Sequence, residues 1–74
     1  MTEDEFLELI ATIVQVDRSH LNFDSTLEFL GWDSLMNLSL MAALDERTGA
    51  EIDADRLSEA TTLKDLFALV ERLT

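Results

Sequence analysis

The stretch LGWDSLMNLSLMAALDERTG, residues 30–49, holds the clearest helix signals in the chain. Asp33 is a residue type preferred at helix N-caps, and Gly49 stands where a left-handed glycine would end a helix. Apolar residues recur between them at the helical period, which predicts a helix over 34–48. Its expected buried stripe is Leu35, Leu38, Met41 and Ala42, with Ala43 and Leu44 as further candidates.

Three more helices are predicted around this stretch. Thr2 and Glu5 form a capping-box pattern, so a first helix should start at Thr2 and fade near Val16. A short helix is expected over 55–60, and Thr61 or Thr62 should cap the last one. The apolar residues expected to face the core are Phe6, Leu9, Ile10, Ile13 and Val14 in the first helix and Leu63, Leu66, Phe67, Val70 and Leu73 in the last.

A long link, residues 17–33, joins the first two helices and shows no clear period. A loop of this length is unusual unless it packs or carries a function. Its apolar residues should help to close the core, and they are Leu21, Phe23, Leu27, Phe29 and Leu30. Ser25 or Thr26 is expected to cap a turn there, while Ile52 and Leu57 should anchor the later connector. Strand signals are absent, which predicts an all-α small four-helix bundle with three longer helices and one short one.

Length and charge limit the function. Seventy-four residues predict a single domain over 1–74, and 16 acids against five Lys and Arg give a net charge of −11. Such a surface repels nucleic acid and anionic membranes and attracts basic partners. The chain has no cysteine, which excludes disulfides and a thiol nucleophile of its own.

The start of the chain and its hydropathy bear on location. The first ten residues are acidic, unlike a secretory signal, and no window approaches the ~18 apolar residues of a membrane span. We therefore expect a soluble, cytoplasmic monomer. Met1 directly ahead of the first helix favours a free-standing protein.

Common catalytic and metal motifs are missing. Asp53 and Asp55 are followed by Arg56, without the glycine and third early ligand of a calcium loop. The one histidine, His20, stands beside Ser19 and four residues from Asp24, but sequence neighbours seldom supply the geometry of a catalytic triad. No metal site and no catalytic residue are predicted.

Ser34 has two interpretations. A serine at a helix start is most often a cap, yet Asp33 is equally able to cap. If Asp33 takes that role, the Ser34 hydroxyl is free, and the positive end of the helix dipole favours an anion on it.

These residues resemble the acyl carrier protein family. Its hallmark, Asp-Ser-Leu at the start of the second helix, is present as Asp33-Ser34-Leu35 and follows Leu30-Gly31. The segment through Gly49 to Glu51-Ile52 and the terminal TTLKDLFALVERL are also similar to the family. The resemblance in length, helix order and motif position covers nearly the whole chain.

The resemblance implies a covalent carrier with no catalysis of its own. Ser34 would receive 4′-phosphopantetheine from coenzyme A, delivered by a magnesium-dependent phosphopantetheinyl transferase. Asp33 would mark the recognition site for that enzyme, and Leu35 would help to seat it. The thiol of the arm would hold acyl groups as thioesters, and acyl-loading and acyl-processing enzymes with basic or apolar patches would be the partners.

The sequence departs from carriers of fatty-acid synthesis, whose second helix often has acids at its exposed early positions. Here Met36, Asn37 and Ser39 stand there, and acids return only at Asp45 and Glu46. We expect these five residues and Trp32 to form the partner surface, with Met36 towards solvent and Leu40 in the core. Trp32 is expected to brace the loop on the bundle.

The departures favour a polyketide or other specialised pathway over housekeeping fatty-acid synthesis. A peptidyl or aminoacyl carrier of the same fold stays open. Two alternatives belong to other functional classes of protein. One is a non-covalent interaction module that uses Met36 and Leu40, and the other is a small hydrolase that uses Ser34 with His20.

Overall fold

The predicted all-α bundle is confirmed by the computed structural model, which describes residues 1–49 and 51–73, with only the backbone of Leu73. Its four helices are α1, Glu3–Val14; α2, Ser34–Thr48; α3, Ala54–Glu59; and α4, Leu63–Leu73. A 3₁₀ turn, Arg18–His20, lies in the link between α1 and α2. The described residues contain no strand, and none of their helices has the length and apolar character needed to cross a membrane.

The first helix begins with the predicted capping box. The backbone N–H of Glu5 donates to Thr2 Oγ1, and that of Thr2 donates to Glu5 Oε1, both at 3.1 Å. The bond from the Thr2 backbone N–H to the carboxylate, with a smaller contribution from the Thr2 hydroxyl, holds the pKa of Glu5 below its ordinary value. The helix ends at Val14, two residues earlier than predicted, because Gln15 adopts a left-handed conformation with φ 59°.

The other helices also end close to their sequence signals. The bounds of α2 match the prediction, with Asp33 as N-cap and Gly49, at φ 71°, as C-cap. The short helix α3 lies one residue earlier than predicted because Asp53 caps it through the N–H of Asp55. At α4 the Thr62 hydroxyl accepts from the N–H of Asp65 at 3.3 Å.

The core collects side chains from all four helices and from the link. Three phenylalanines pack together with ring centroids 5.1–6.3 Å apart: Phe6 and Phe23 are stacked, and Phe67 is tilted against both. The link contributes Leu21 and Leu27, so its predicted packing role is confirmed. The fully buried side chains are Phe6, Ile10, Leu40, Leu44, Leu57, Leu63, Leu66 and Val70.

Phe29 is the exception in the link. It was expected in the core, yet 85% of it is exposed. It lies in a turn where its N–H donates to Thr26 Oγ1 at 3.2 Å, and that turn holds it away from the helices. The predicted core role of Phe29 is therefore wrong, while Thr26 does cap a turn as expected.

The predicted buried stripe of α2 is wrong for Leu35, Leu38 and Ala42 and confirmed for the further candidate Leu44. Leu35 and Leu38 are 69% and 61% exposed and Ala42 is exposed, whereas Leu40 and Leu44 are buried. Met41 and Ala43 are partly buried against the core. Apolar residues occupy more than one face of α2, so the helical period alone does not select the face that packs. The prediction that Leu40 is core is confirmed; the Leu73 side chain lies outside the described residues.

Backbone hydrogen bonds clamp the link to the start of α4. The N–H of Leu27 donates to the Thr61 carbonyl at 2.9 Å, and the N–H of Leu63 donates to the Ser25 carbonyl at 3.1 Å. Between them Thr26 and Thr62 form an isolated antiparallel bridge. The segment that leads into α2 is thus held against a distant part of the chain.

Candidate functional site

At the start of α2 the structure separates the roles of two adjacent residues. The Met36 N–H donates to Asp33 Oδ1 at 2.9 Å, so Asp33 is the cap. Ser34 is the first helical residue and is exposed. Within the described residues its hydroxyl makes no hydrogen bond. Of the two interpretations of Ser34, the structure supports the free hydroxyl.

The backbone around Ser34 suits a negatively charged group. The N–H groups of Ser34 and Leu35 lie in the first turn, where a helix offers them no carbonyl four residues earlier. They lie at the positive end of the helix dipole, and the first turn of α2 contains no acid. A phosphodiester on the Ser34 oxygen would meet these donors without displacing any hydrogen bond of that side chain.

Trp32 braces the loop, as predicted. It is partly buried against the core, and its indole N–H donates to Asn37 Oδ1 at 2.5 Å. Its backbone N–H donates to the Leu27 carbonyl at 2.9 Å. Asn37, expected as an exposed polar residue, is partly buried and engaged by the indole.

The residues expected to meet partners differ in exposure. Ser39, Asp45 and Glu46 are exposed, whereas Trp32, Met36 and Asn37 are partly buried. A surface made of Met36 and Leu40 does not exist, because Leu40 is wholly buried. Contact of the six residues with a partner stays a prediction.

An exposed apolar face of α2 was missed by the sequence reasoning. It consists of Leu35, Leu38 and Ala42, which we call the outer α2 face, and it begins next to Ser34. At the end of this face away from Ser34, α2 and the following connector form an open cleft of about 410 Å³. The cleft is lined by Leu38, Met41, Ala42, Asp45, Glu51 and Ile52. The sequence signal for this face was that apolar residues recur at helical spacing on two faces of α2. Only the burial of each residue shows which face is exposed.

His20 does not assemble with Ser34. It lies exposed at the end of the 3₁₀ turn, and in the described part of the chain no hydrogen bond joins the two residues. The same residues contain no group of three or more His, Cys, Asp or Glu placed to hold a metal ion. The hydrolase alternative therefore gains no geometric support.

Comparison with known proteins identifies the family. A family model described as the phosphopantetheine attachment site matches residues 4–70. An acyl carrier protein from Treponema denticola is 31% identical over 65 residues, which cover 86% of this chain and 83% of that protein. The chain belongs to the acyl carrier protein family. Phosphopantetheine is accordingly its cofactor, and the fit at Ser34 is consistent with it.

Two other similar proteins are much longer than this chain. Orsellinic acid synthase from Beauveria bassiana is 36% identical over 67 residues, and a non-reducing polyketide synthase from Aspergillus terreus is 34% identical over 67. These matches cover 90% of this carrier chain but only 3% and 2% of the two synthases. The similarity therefore concerns a carrier-sized segment of each synthase.

Proposed function

We propose that this acyl carrier protein holds acyl groups as thioesters on a 4′-phosphopantetheine arm attached to Ser34, and that it catalyses no reaction itself. The observation that carries the assignment is the free, exposed Ser34 hydroxyl beside a cap supplied by Asp33. When bound, the arm supplies the thiol that this cysteine-free chain lacks.

Attachment of the phosphopantetheine arm is a transfer at phosphorus. The Ser34 oxygen attacks the coenzyme A phosphorus that bears pantetheine, the bond to the other phosphate breaks, and adenosine 3′,5′-bisphosphate leaves. The hydroxyl proton passes to a base of the transferase. Ser34 provides the nucleophile, and the first-turn N–H groups favour the phosphodiester that forms. Asp33 orients this turn and, we infer, marks it for the transferase.

The pathway that we propose is polyketide synthesis. It is supported by the names of the two fungal synthases that share 34–36% identity with this chain. The partners would be a phosphopantetheinyl transferase and enzymes that load and process the acyl group. A peptidyl or aminoacyl carrier remains the alternative within the same fold, and a cytoplasmic monomer remains a prediction.

We also propose that partners contact the outer α2 face. Leu35 and Leu38 are large, apolar and mostly exposed, and Asp45 and Glu46 lie further along the same helix. Scattered exposed apolar residues are common, but this pair adjoins Ser34 and ends at the cleft beside Met41. An enzyme with an apolar depression and basic residues near its rim would complement this surface.

Intact mass spectrometry tests the assignment. The protein is incubated with coenzyme A, magnesium and a broad-specificity phosphopantetheinyl transferase. We expect a mass gain of one phosphopantetheine, absent in Ser34→Ala and retained in Ser39→Ala, an exposed serine of the same helix. A folded wild-type protein that starts unmodified and gains no mass would contradict the carrier proposal and favour a non-covalent interaction module.

A further inference from the structure

Two nested hydrogen bonds enclose Ser34. The inner one is the cap, from the Met36 N–H to Asp33 Oδ1 at 2.9 Å. The outer one joins the Trp32 indole N–H to Asn37 Oδ1 at 2.5 Å. The helix is already capped by Asp33, so the outer bond is not needed to begin α2. We call the Trp32–Asn37 pair the indole latch.

The latch connects the first turn of α2 to the rest of the molecule. Trp32 packs against the core, and its backbone N–H donates to the carbonyl of buried Leu27. Leu27 in turn donates its N–H to the Thr61 carbonyl at 2.9 Å. Asn37 is therefore linked through Trp32 to the connector before α4.

The first turn of α2 is only partly buried, because Ser34 and Leu35 are exposed and Met36 and Asn37 are half-buried. Leu35 and Leu38 are mostly exposed, and the first fully buried side chain of the helix is Leu40. The outer bond thus ties a weakly packed turn to a firmly packed loop. Since Ser34 lies between the two ends of the latch, its backbone is held while its hydroxyl rotates about one bond.

We propose that Trp32 and Asn37 are positioning residues that set Ser34 for phosphopantetheine transfer. This inference rests on the proposed function. In-line displacement at phosphorus depends steeply on the placement of the attacking oxygen. Loosening the first turn should therefore slow the chemical step, and binding of the carrier by the transferase should change little.

The latch itself can be tested without any arm. Trp32 is the only tryptophan, so a ¹H–¹⁵N spectrum contains one indole N–H signal. In Asn37→Ala we expect this signal to move upfield and its exchange with water to accelerate. Asn37→Asp, which keeps an oxygen acceptor, should hold it near the wild-type position. A signal that is unchanged in Asn37→Ala would overturn the proposal whatever the carrier assay shows.

A double-mutant cycle tests the positioning role. Trp32→Phe, Asn37→Ala and the double variant are compared as substrates of the transferase. We expect each to lower kcat about tenfold with KM within about twofold, and the double variant to be no slower than the single ones. Unchanged kcat, or losses that multiply in the double variant, would overturn the proposal.

Asn22→Ala is the matched control. Asn22 Oδ1 accepts from the Asp24 N–H at 2.8 Å, so this variant also loses one asparagine hydrogen bond, but in the link and not in α2. The melting temperature of Asn22→Ala should fall by about as much as that of Asn37→Ala, while its kcat stays at the wild-type value. An equal fall of kcat in Asn22→Ala would reduce the latch to a general structural role. A wild-type protein that accepts no arm would instead refute the proposed function.

Discussion

At the residue scale, the division of labour between Asp33 and Ser34 is the central feature. Both residue types cap helices well, and only one can serve the same turn. The carboxylate of Asp33 takes the Met36 N–H, which leaves the neighbouring hydroxyl exposed and without a partner in the described part of the chain. The first helical residue therefore presents an exposed hydroxyl without loss of the cap.

Two Asp33 variants separate the cap from the charge. Asp33→Ala should lower the free energy of unfolding by about 1 kcal/mol, because the Met36 N–H loses its acceptor. Asp33→Asn keeps a side-chain carbonyl and should stay close to wild type. Urea denaturation followed by circular dichroism measures both.

The same variants test recognition. If the transferase reads the charge of Asp33, Asp33→Asn will be stable yet poorly modified, as seen by the rate of mass gain. Equal stabilities of wild type and Asp33→Ala would contradict the capping role. Normal modification of Asp33→Asn would contradict the role of the charge.

At the element scale, α2 shows how an amphipathic pattern becomes ambiguous. The helix offers one apolar face through Leu40 and Leu44 and another through Leu35 and Leu38. Both recur at helical spacing, so periodicity supports either one. Packing against the core selects the first face, and the second remains available at the surface beside Ser34.

A matched pair of leucine variants checks this phase. Leu40→Ala should destabilise the protein by about 2–5 kcal/mol, because Leu40 is wholly buried and truncation leaves a cavity. Leu38→Ala, the same chemical change in the same helix, should stay within about 0.5 kcal/mol. Chemical denaturation compares them. An equal loss of unfolding free energy in the two variants would contradict the burial pattern. A Leu40→Ala protein that does not fold, while Leu38→Ala does, would agree with it.

The hydrogen bonds at the start of α4 predict that the stability of the fold depends on pH. Asp65 Oδ2 accepts from the Thr61 N–H, the Thr61 hydroxyl and the Thr62 N–H at 2.9–3.1 Å, and these bonds lower its pKa. A carboxyl with a lowered pKa in the folded state stabilises the fold above its unfolded pKa of about 3.9. That contribution is lost as the pH falls through the folded value.

Melting temperatures of wild type and Asp65→Asn should therefore differ most above about pH 5 and converge below about pH 4. Asp24→Asn removes the same charge from an exposed carboxylate that makes no hydrogen bond among the described residues, so it controls for the change in net charge. A wild-type advantage over Asp65→Asn that persists unchanged at pH 3 would contradict the role of the carboxylate.

At the scale of the whole molecule, charge density is the dominant property. A net charge of −11 is spread over a body whose Cα extents are 28 × 23 × 18 Å. The Debye length is about 30 Å at 0.01 M salt, so every charge then acts on every other. The Arg18–Asp4 ion pair is exposed, and screening it costs little stability. At low salt, repulsion among the acidic side chains should therefore outweigh the stabilisation from this ion pair.

Added salt should therefore raise the melting temperature. Between about 0.01 and 0.1 M sodium chloride the Debye length falls to about 10 Å, and we expect a rise of a few degrees. Choline chloride should act alike, because screening does not depend on the cation. Differential scanning calorimetry measures the shift. A melting temperature that is independent of both salts would exclude self-repulsion as a significant contribution.

Features that depend on near neighbours in the chain follow from the sequence alone. Thr2 and Glu5, or Asp33 and the N–H of Met36, are three residues apart, so their caps follow from local geometry. The four helices and the all-α class follow from such signals together with the apolar period. The Asp33-Ser34-Leu35 motif in this setting indicates the family from the sequence alone.

Which surfaces meet depends on how the whole chain packs in three dimensions. The face that α2 buries, the exposure of Phe29 and the tie from Leu27 to Thr61 all depend on contacts between segments distant in sequence. The bond from Trp32 to Asn37 spans five residues, yet it forms because the loop is packed against the bundle. Periodicity states that a face is apolar, and packing alone decides whether that face is covered.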